Sequence, residues 1–227
     1  MNIVYACTRN YYHKILPSMR SLAEHEPKAR VFILAEDDSL GIELPMKAEV
    51  INVSDQQFFP KDSANYYNSF TYINLLKVCY ASILPVNKVI HLDLDTIICD
   101  SLEEFWKINM TGKWVAAVPE YNGRYKPFGD TYYNMGVALI NLAQIRKDKI
   151  EPEMVEYLCK IKQPFADQDA WHFVGIVRDK FVPVQVRFNE SYPTGQTDNP
   201  AIIHYCGIVN WWETSSMPRK EYLDKYR

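Results

Sequence analysis

The sequence has no C-x-x-C pair, and its five cysteines, Cys7, Cys79, Cys99, Cys159 and Cys206, are odd in number and far apart. That excludes the paired motifs of zinc ribbons and dithiol redox centres, and it reads as a set of free thiols in a reducing compartment. Long apolar runs are missing too. Nothing reaches the roughly 20 residues of a membrane-spanning helix, and the apolar start, Asn2 to Ala6, is too short for a secretory signal and enters a strand pattern at once. The cytoplasm is the expected location. Positive charge is not in surplus, since 25 Lys and Arg stand against 28 Asp and Glu for a net charge of -3. The composition supplies no basic field, so it neither requires nor excludes a nucleic-acid partner. Internal repeats, low-complexity tracts and linkers are lacking as well.

What is present fills a core: 48% of the 227 residues are hydrophobic, which suits one α/β domain over residues 1–227. Asn2 to Cys7 reads as a buried strand, and Tyr11 to His25 as a helix with Ile15, Met19 and Leu22 on one face. Val31 to Ala35 and Ala48 to Val53 are further strands, parted by a turn near Gly41 and Pro45. An apolar helix, Tyr72 to Leu84, stops at Pro85, and the strand Lys88 to Leu92 follows. Trp114 to Pro119, Tyr132 to Asn141 and Ala201 to Tyr205 complete the predicted strands, with helices over Ile150 to Lys162 and Asp167 to Val177. Apolar strands alternating with helices predict a mostly parallel sheet covered on both faces. The segment Gly123 to Thr131, rich in Gly, Pro and charge, is the expected lid.

The first chemical signal ends the strand Lys88 to Leu92, where Asp93 and Asp95 stand two apart. Strand periodicity points both carboxylates to one side, at the carboxyl end where open α/β sheets collect ligands. Hard divalent cations take such oxygens and share their remaining positions with diphosphate. Two aspartates can also simply end a strand and cap the helical turn near Ser101. A phosphatase of the haloacid dehalogenase type would use D-x-D-x-T, but Thr96 directly follows the second Asp, Ile97 stands where that motif needs Thr, and the pair is mid-chain.

Five blocks in order along the chain resemble glycosyltransferase family 8, the retaining GT-A group that includes glycogenin and bacterial lipopolysaccharide α-galactosyl- and α-glucosyltransferases. They are Ala6 to Tyr11; the helix ending in Lys77 with Asp93-Leu94-Asp95-Thr96; Tyr133 to Asn141, which is similar to F-N-S/A-G-V-x-x-I-N; Asp167-Gln168-Asp169; and Ile203-His204-Tyr205-Cys206-Gly207 leading to Trp212. The resemblance implies a GT-A fold, with a nucleotide-binding half over 1–100 and an acceptor and catalytic half over 101–227. It implies that Asp93, Asp95 and His204 hold a metal, manganese or else magnesium, and that Ala6, Thr8, Asn10, Tyr11, Lys77, Leu94, Gly207 and Asn210 hold the nucleotide of a UDP-sugar. Asn134, Asp167 and Gln168 would hold the transferred hexose, with Gln168 beneath the anomeric carbon. A neutral amide is a poor nucleophile, so a front-face transfer fits Gln168, and Asp169 is the nearest carboxylate if a covalent intermediate forms. The ion would act mainly as a Lewis acid on the departing UDP.

Each residue also has a plainer role available. His204 can be a hydrogen-bonded strand residue, Asn134 and Gly136 a strand irregularity, Asp167 a helix N-cap, and Tyr11, Trp211 and Trp212 packing. The chain departs from the family where H-x-x-G-x-x-K-P-W is usual: Asn210 stands for the diphosphate-binding Lys and Trp211 for the Pro. An amide donates a hydrogen bond but no charge, which leaves Arg219, Lys220 or Lys77 to supply it. The same gap sustains a second class, a UDP-sugar-binding module without transfer activity. The end of the sequence carries a short charged helix, Pro218 to Arg227, so firm membrane attachment is not expected, only weak peripheral contact through Arg219, Lys220, Lys225 and Arg227. Expected partners are the UDP-sugar donor and a glycan, lipid-linked, protein or small-molecule acceptor; 16 tyrosines make self-glycosylation conceivable.

Overall fold

Tyr5 and Ile33 point to one face of a central sheet and Val4 and Phe32 to the other, because side chains of a strand alternate. The computed structural model describes residues 1–67, 71–121, 131–207, 211–212 and 217–227. In chain order the elements begin with β1 (Asn2–Ala6), a 3-10 turn (Arg9–Ile15), α1 (Leu16–His25), β2 (Arg30–Ala35) and β3 (Ala48–Asn52). There follow α2 (Tyr72–Leu75), a 3-10 turn (Leu76–Cys79), α3 (Tyr80–Ile83), β4 (Val89–Leu92), β5 (Thr96–Ile98) and α4 (Glu103–Trp106). Then come β6 (Val115–Pro119), β7 (Tyr133–Ile140), α5 (Leu142–Asp148), α6 (Glu151–Lys160) and α7 (Ala166–Gly175). The last are β8 (Phe181–Pro183), β9 (Ile202–His204) and α8 (Lys220–Tyr226).

Seven strands form one sheet in the order β3-β2-β1-β4-β7-β6-β8. All neighbours are parallel except the two pairs made by β7, which runs against both β4 and β6. The mostly parallel sheet predicted from the pattern is therefore present, with one reversed strand near its middle. Helices α2, α3, α5, α6 and α7 cover one face around Phe32, Tyr80, Trp114 and Trp171, and α1 and α4 cover the other around Tyr5, Met19, Ile33 and Phe105. A separate antiparallel pair, β5 with β9, packs with Trp211, Leu223 and Tyr226 in a third cluster.

Two predicted helices are broken, the first for a plain local reason. Pro17 has no N–H to give inside a helix, so α1 starts at Leu16 with Pro17 in its first turn, and the preceding stretch from Arg9 winds as a 3-10 turn. The helix expected over Tyr72 to Leu84 tightens in the middle, where Cys79 departs from helical geometry at φ -101° and ψ 7°. Strands β5 and β8 and helix α5 were not foreseen; Asn141 caps α5 by accepting from the Gln144 N–H at 3.1 Å. The expected lid, Gly123 to Thr131, lies outside the described residues apart from Thr131. Among the described residues no helix is long and apolar enough to cross a membrane.

Candidate active site

Strand order reverses between β1 and β4: from β1 the sheet continues through β2 and β3 on one side and through β4 on the other. The carboxyl ends of such a pair leave a crevice between diverging connections. Asp93 is the first residue beyond β4, and its N–H donates to Gly136 O of β7 at 2.7 Å. The chain then turns into β5, whose Thr96 pairs with His204 of β9, so the β5–β9 ladder seats the imidazole beside Asp95. His204 Nε2 lies 3.3 Å from Asp95 Oδ1 and 3.9 Å from Asp93 Oδ2. One ligand atom from each of the three residues falls within 4.8 Å of the others. Two carboxylates and an imidazole form a mixed oxygen and nitrogen donor set that suits a divalent first-row ion better than calcium.

Close approach of β7 makes this cluster possible. A Cβ added at Gly136 would stand 2.2 Å from His204 Cε1 and 2.6 Å from Asp93 Oδ2, so any larger residue would force those side chains to shift. On the far side of Asp93, Lys77 Nζ is 2.7 Å from Oδ1 and His91 Nε2 is 2.9 Å from the same oxygen. Burial together with Lys77 pushes the His91 pKa down to about 4, so its imidazole is neutral. Nε2–H then donates to Asp93, and Nδ1 accepts from Tyr80 OH at 3.0 Å. Burial alone would raise the Asp93 carboxyl, but Lys77 and His91 outweigh it and hold it well below the usual carboxylate range. Asp93 thus spends Oδ1 on fixed donors and presents Oδ2 to His204.

A cleft of about 200 Å³ opens over this cluster and is lined also by Asn134, Asp167, Gln168 and Glu120. Asp167 Oδ2 lies 3.8 Å from Lys77 Nζ, and burial raises its pKa to about 6 against the pull of that ammonium. Gln168 Oε1 accepts from the Met135 N–H at 2.9 Å, and its Nε2 lies 3.4 Å from Glu120 Oε1, which also accepts from Asn134 Nδ2 at 2.9 Å. One turn further along α7, His172 locks this face to β7: its Nδ1 donates to Gln168 O at 2.5 Å and its Nε2 accepts from the Tyr133 N–H at 2.6 Å.

The family model for glycosyl transferase family 8 matches residues 2–215. The chain belongs to that family. A putative glycosyltransferase of Haemophilus influenzae is 28% identical over 93% of this chain and 73% of its own length. Glycosyltransferase GlyA of Streptococcus pneumoniae is 25% identical over 93% of this chain, which spans only 32% of that longer protein. Among solved structures, galactosyltransferase LgtC in complex with donor and acceptor sugar analogs superposes with a TM-score of 0.71 at 22% identity, over 91% of this chain and 87% of that one. An active-site mutant of LgtC superposes at 0.77 with 20% identity, over 99% and 94%. At such identities the likeness shows the GT-A fold.

Of the residues the family 8 resemblance singled out, Lys77, Asp93, Asp95, Asn134, Asp167, Gln168, His204 and Gly207 do meet in the cleft. Thr8 and Asn10 line a separate, broader depression with Glu36, Tyr66 and Tyr72, beyond β1, which ends at Ala6. Tyr11 is 40% exposed and meets Trp212 edge-on at 6.3 Å, with Lys14 Nζ 3.1 Å over the indole. Leu94 packs against the α1 side of the sheet, and Asn210 lies outside the described residues. Asp169 departs from expectation. It is fully buried, accepts from Tyr132 OH at 2.6 Å and from the Phe165 N–H at 2.9 Å, and is not among the residues lining the cleft. One helical position beyond Gln168 turns it about 100° away, into the core.

The cations expected to replace the missing Lys are also placed. Arg219 donates to Glu190 Oε1 at 2.8 Å and to Thr197 O at 2.6 Å, and Lys220 pairs with Asp224. Lys77 is the cation that lines the cleft among the described residues. Sequence reasoning missed Glu120, His91, His172 and Asn189. His91 had a signal, since it stands two residues before Asp93 on the same strand face, and so did Glu120, which directly follows β6 at its carboxyl end. The other two act through tertiary contacts that no local pattern announces.

Proposed function

We propose that this chain transfers a hexose, glucose or galactose, from a UDP-sugar to an acceptor hydroxyl with retention at the anomeric carbon. In this reading manganese, or magnesium in its place, is held by Asp93, Asp95 and His204. The observation that carries it is the grouping of these three ligand atoms within 4.8 Å, in one cleft with Lys77, Asn134, Asp167 and Gln168. When bound, the ion supplies Lewis-acid charge to the departing diphosphate. Lys77 adds a second positive charge on the same side, buried where a cation acts strongly. Asn134 and Asp167 offer an amide and a carboxyl to the sugar hydroxyls.

Gln168, bonded to β7 by its side chain and through His172 by its backbone, presents a neutral amide, which is a poor nucleophile. The burial of Asp169 and the hydrogen bond held by each of its oxygens favour a front-face transfer over a covalent route. The whole chain acts as one unit, residues 1–100 chiefly taking the nucleotide and 101–227 the acceptor. A glycan, lipid-linked, protein or small-molecule hydroxyl serves as acceptor. The cytoplasm suits the five free thiols. Peripheral membrane contact has little support, because Arg219, Lys220, Lys225 and Arg227 each pair with a carboxylate.

The test is hydrolysis of a panel of UDP-sugars with manganese and no acceptor, native protein against Asp95→Ala. Release of UDP from one sugar, lost in the variant, supports the enzyme and names its donor. Metal-dependent UDP binding without release from any sugar would favour the binding module.

A further inference from the structure

Asn189 has no assigned role, yet its side chain joins two parts of the cleft. It is fully buried at the end of the 3-10 turn Val186–Phe188. Its Oδ1 lies 2.9 Å from His204 Nδ1, and its Nδ2 donates to Asn134 Oδ1 at 2.9 Å. A carboxamide oxygen only accepts, so the hydrogen of a neutral His204 sits on Nδ1. The lone pair is then on Nε2, the atom that faces Asp95 and Asp93. At the other end Asn134 Oδ1 also accepts from the Gly136 N–H at 3.1 Å, which sends the Asn134 NH2 to Glu120 Oε1. Reversing the Asn189 amide would set donor against donor at His204 and acceptor against acceptor at Asn134. Both orientations are therefore fixed by one buried group.

We propose that Asn189 is a positioning residue that sets the His204 tautomer for cation binding and, through its other end, the orientation of Asn134 toward the donor sugar. The proposal rests on reading Asp93, Asp95 and His204 as a cation site. The main chain at Asn189 is held independently of the amide, by its N–H to Val186 O at 2.9 Å and by the Thr194 hydroxyl on its carbonyl. Side-chain substitutions there are expected to leave the turn intact.

Two variants separate the two ends. Asn189→Leu offers His204 no acceptor, and loss of such an outer partner weakens metal binding about 10- to 100-fold. Asn189→Asp keeps an acceptor for Nδ1–H but turns an oxygen toward Asn134 Oδ1. Manganese affinity, measured by calorimetry with the metal alone, is expected to fall about 10- to 100-fold in Asn189→Leu and to stay near native in Asn189→Asp. The KM for the UDP-sugar should rise in Asn189→Asp, and Asn134→Ala should abolish that difference. Nitrogen-15 spectra of the metal-free protein at alkaline pH supply a readout independent of the metal: His204 should carry its proton on Nδ1 in native protein and lose that preference in Asn189→Leu. Native manganese affinity together with an unchanged tautomer in Asn189→Leu would overturn the proposal. If the native protein binds no manganese, the cation reading fails, and the tautomer comparison still decides the role of Asn189.

Discussion

Gly136→Ala adds one methyl group where β7 meets the Asp93–His204 cluster. The new carbon would sit 2.2 Å from His204 Cε1, and an ordinary contact begins near 3.4 Å, so the imidazole must retreat by about 1.2 Å. Retreat is opposed, because His204 is held through Nδ1 by Asn189 and through its backbone by β5 and Glu190. Asp93 is no freer, since Lys77 and His91 grip its other oxygen. A misplacement of about 1 Å in a reacting constellation costs on the order of 10²-fold in rate, and overpacking a filled site costs about 1–3 kcal/mol of stability. For a chain of this size that is a fall in Tm of roughly 2–12 °C. The expected result is about 100-fold slower metal-dependent UDP-sugar hydrolysis, with weaker manganese binding by calorimetry and a modest drop in Tm. Native manganese affinity and native turnover in Gly136→Ala would refute the claim that this contact sets the site.

Three further outcomes follow from the same geometry. Gln168→Ala should keep metal-dependent UDP binding while losing turnover, read as a fall in kcat with little change in UDP affinity. Lys77→Met leaves the Asp93 and Asp167 carboxylates facing each other without a cation; the metal-free protein should melt lower, and manganese should raise its Tm by more than it raises the native Tm. Burial depresses the His172 pKa from 6.5 to about 4. A group whose folded pKa lies below its unfolded value stabilises fully above the unfolded value and loses that contribution as pH falls. Native protein should therefore lose about 3 kcal/mol more than His172→Gln between pH 6.5 and pH 4, measured by urea unfolding.

Much of this was legible in the sequence, because strands are short-range objects. The alternation of Ile3, Tyr5, Val4 and Ala6 between the two faces is written in β1 itself, and Asp93 and Asp95 announce a strand end. The helical break at Pro17 was readable in principle, while no residue near Cys79 announces the tightening there. The reversed direction of β7 was not legible, since an apolar strand reads the same in either sense. The same holds for the company of each polar side chain. Asp167, Gln168 and Asp169 are consecutive, yet the first two face the cleft and the third is buried, a distinction set by α7 docking on β7 rather than by residue type. His172 reaches β7 through Tyr133, 39 residues away, and Asn189 joins the site through His204 and Asn134, 15 and 55 residues away.

Asp93 leaves the large sheet at the end of β4, whereas His204 arrives on β9 of the small one. The three candidate ligands therefore span a seam between two separately hydrogen-bonded sheets, and an ion bound there would act as a clasp across it. Cation affinity then depends on how firmly the small sheet, with Trp211, Leu223 and Tyr226 behind it, seats against α1. Substitutions in that apolar cluster would then tighten or loosen such a clasp while every candidate ligand stays the same, so metal affinity could be tuned without touching the aspartates.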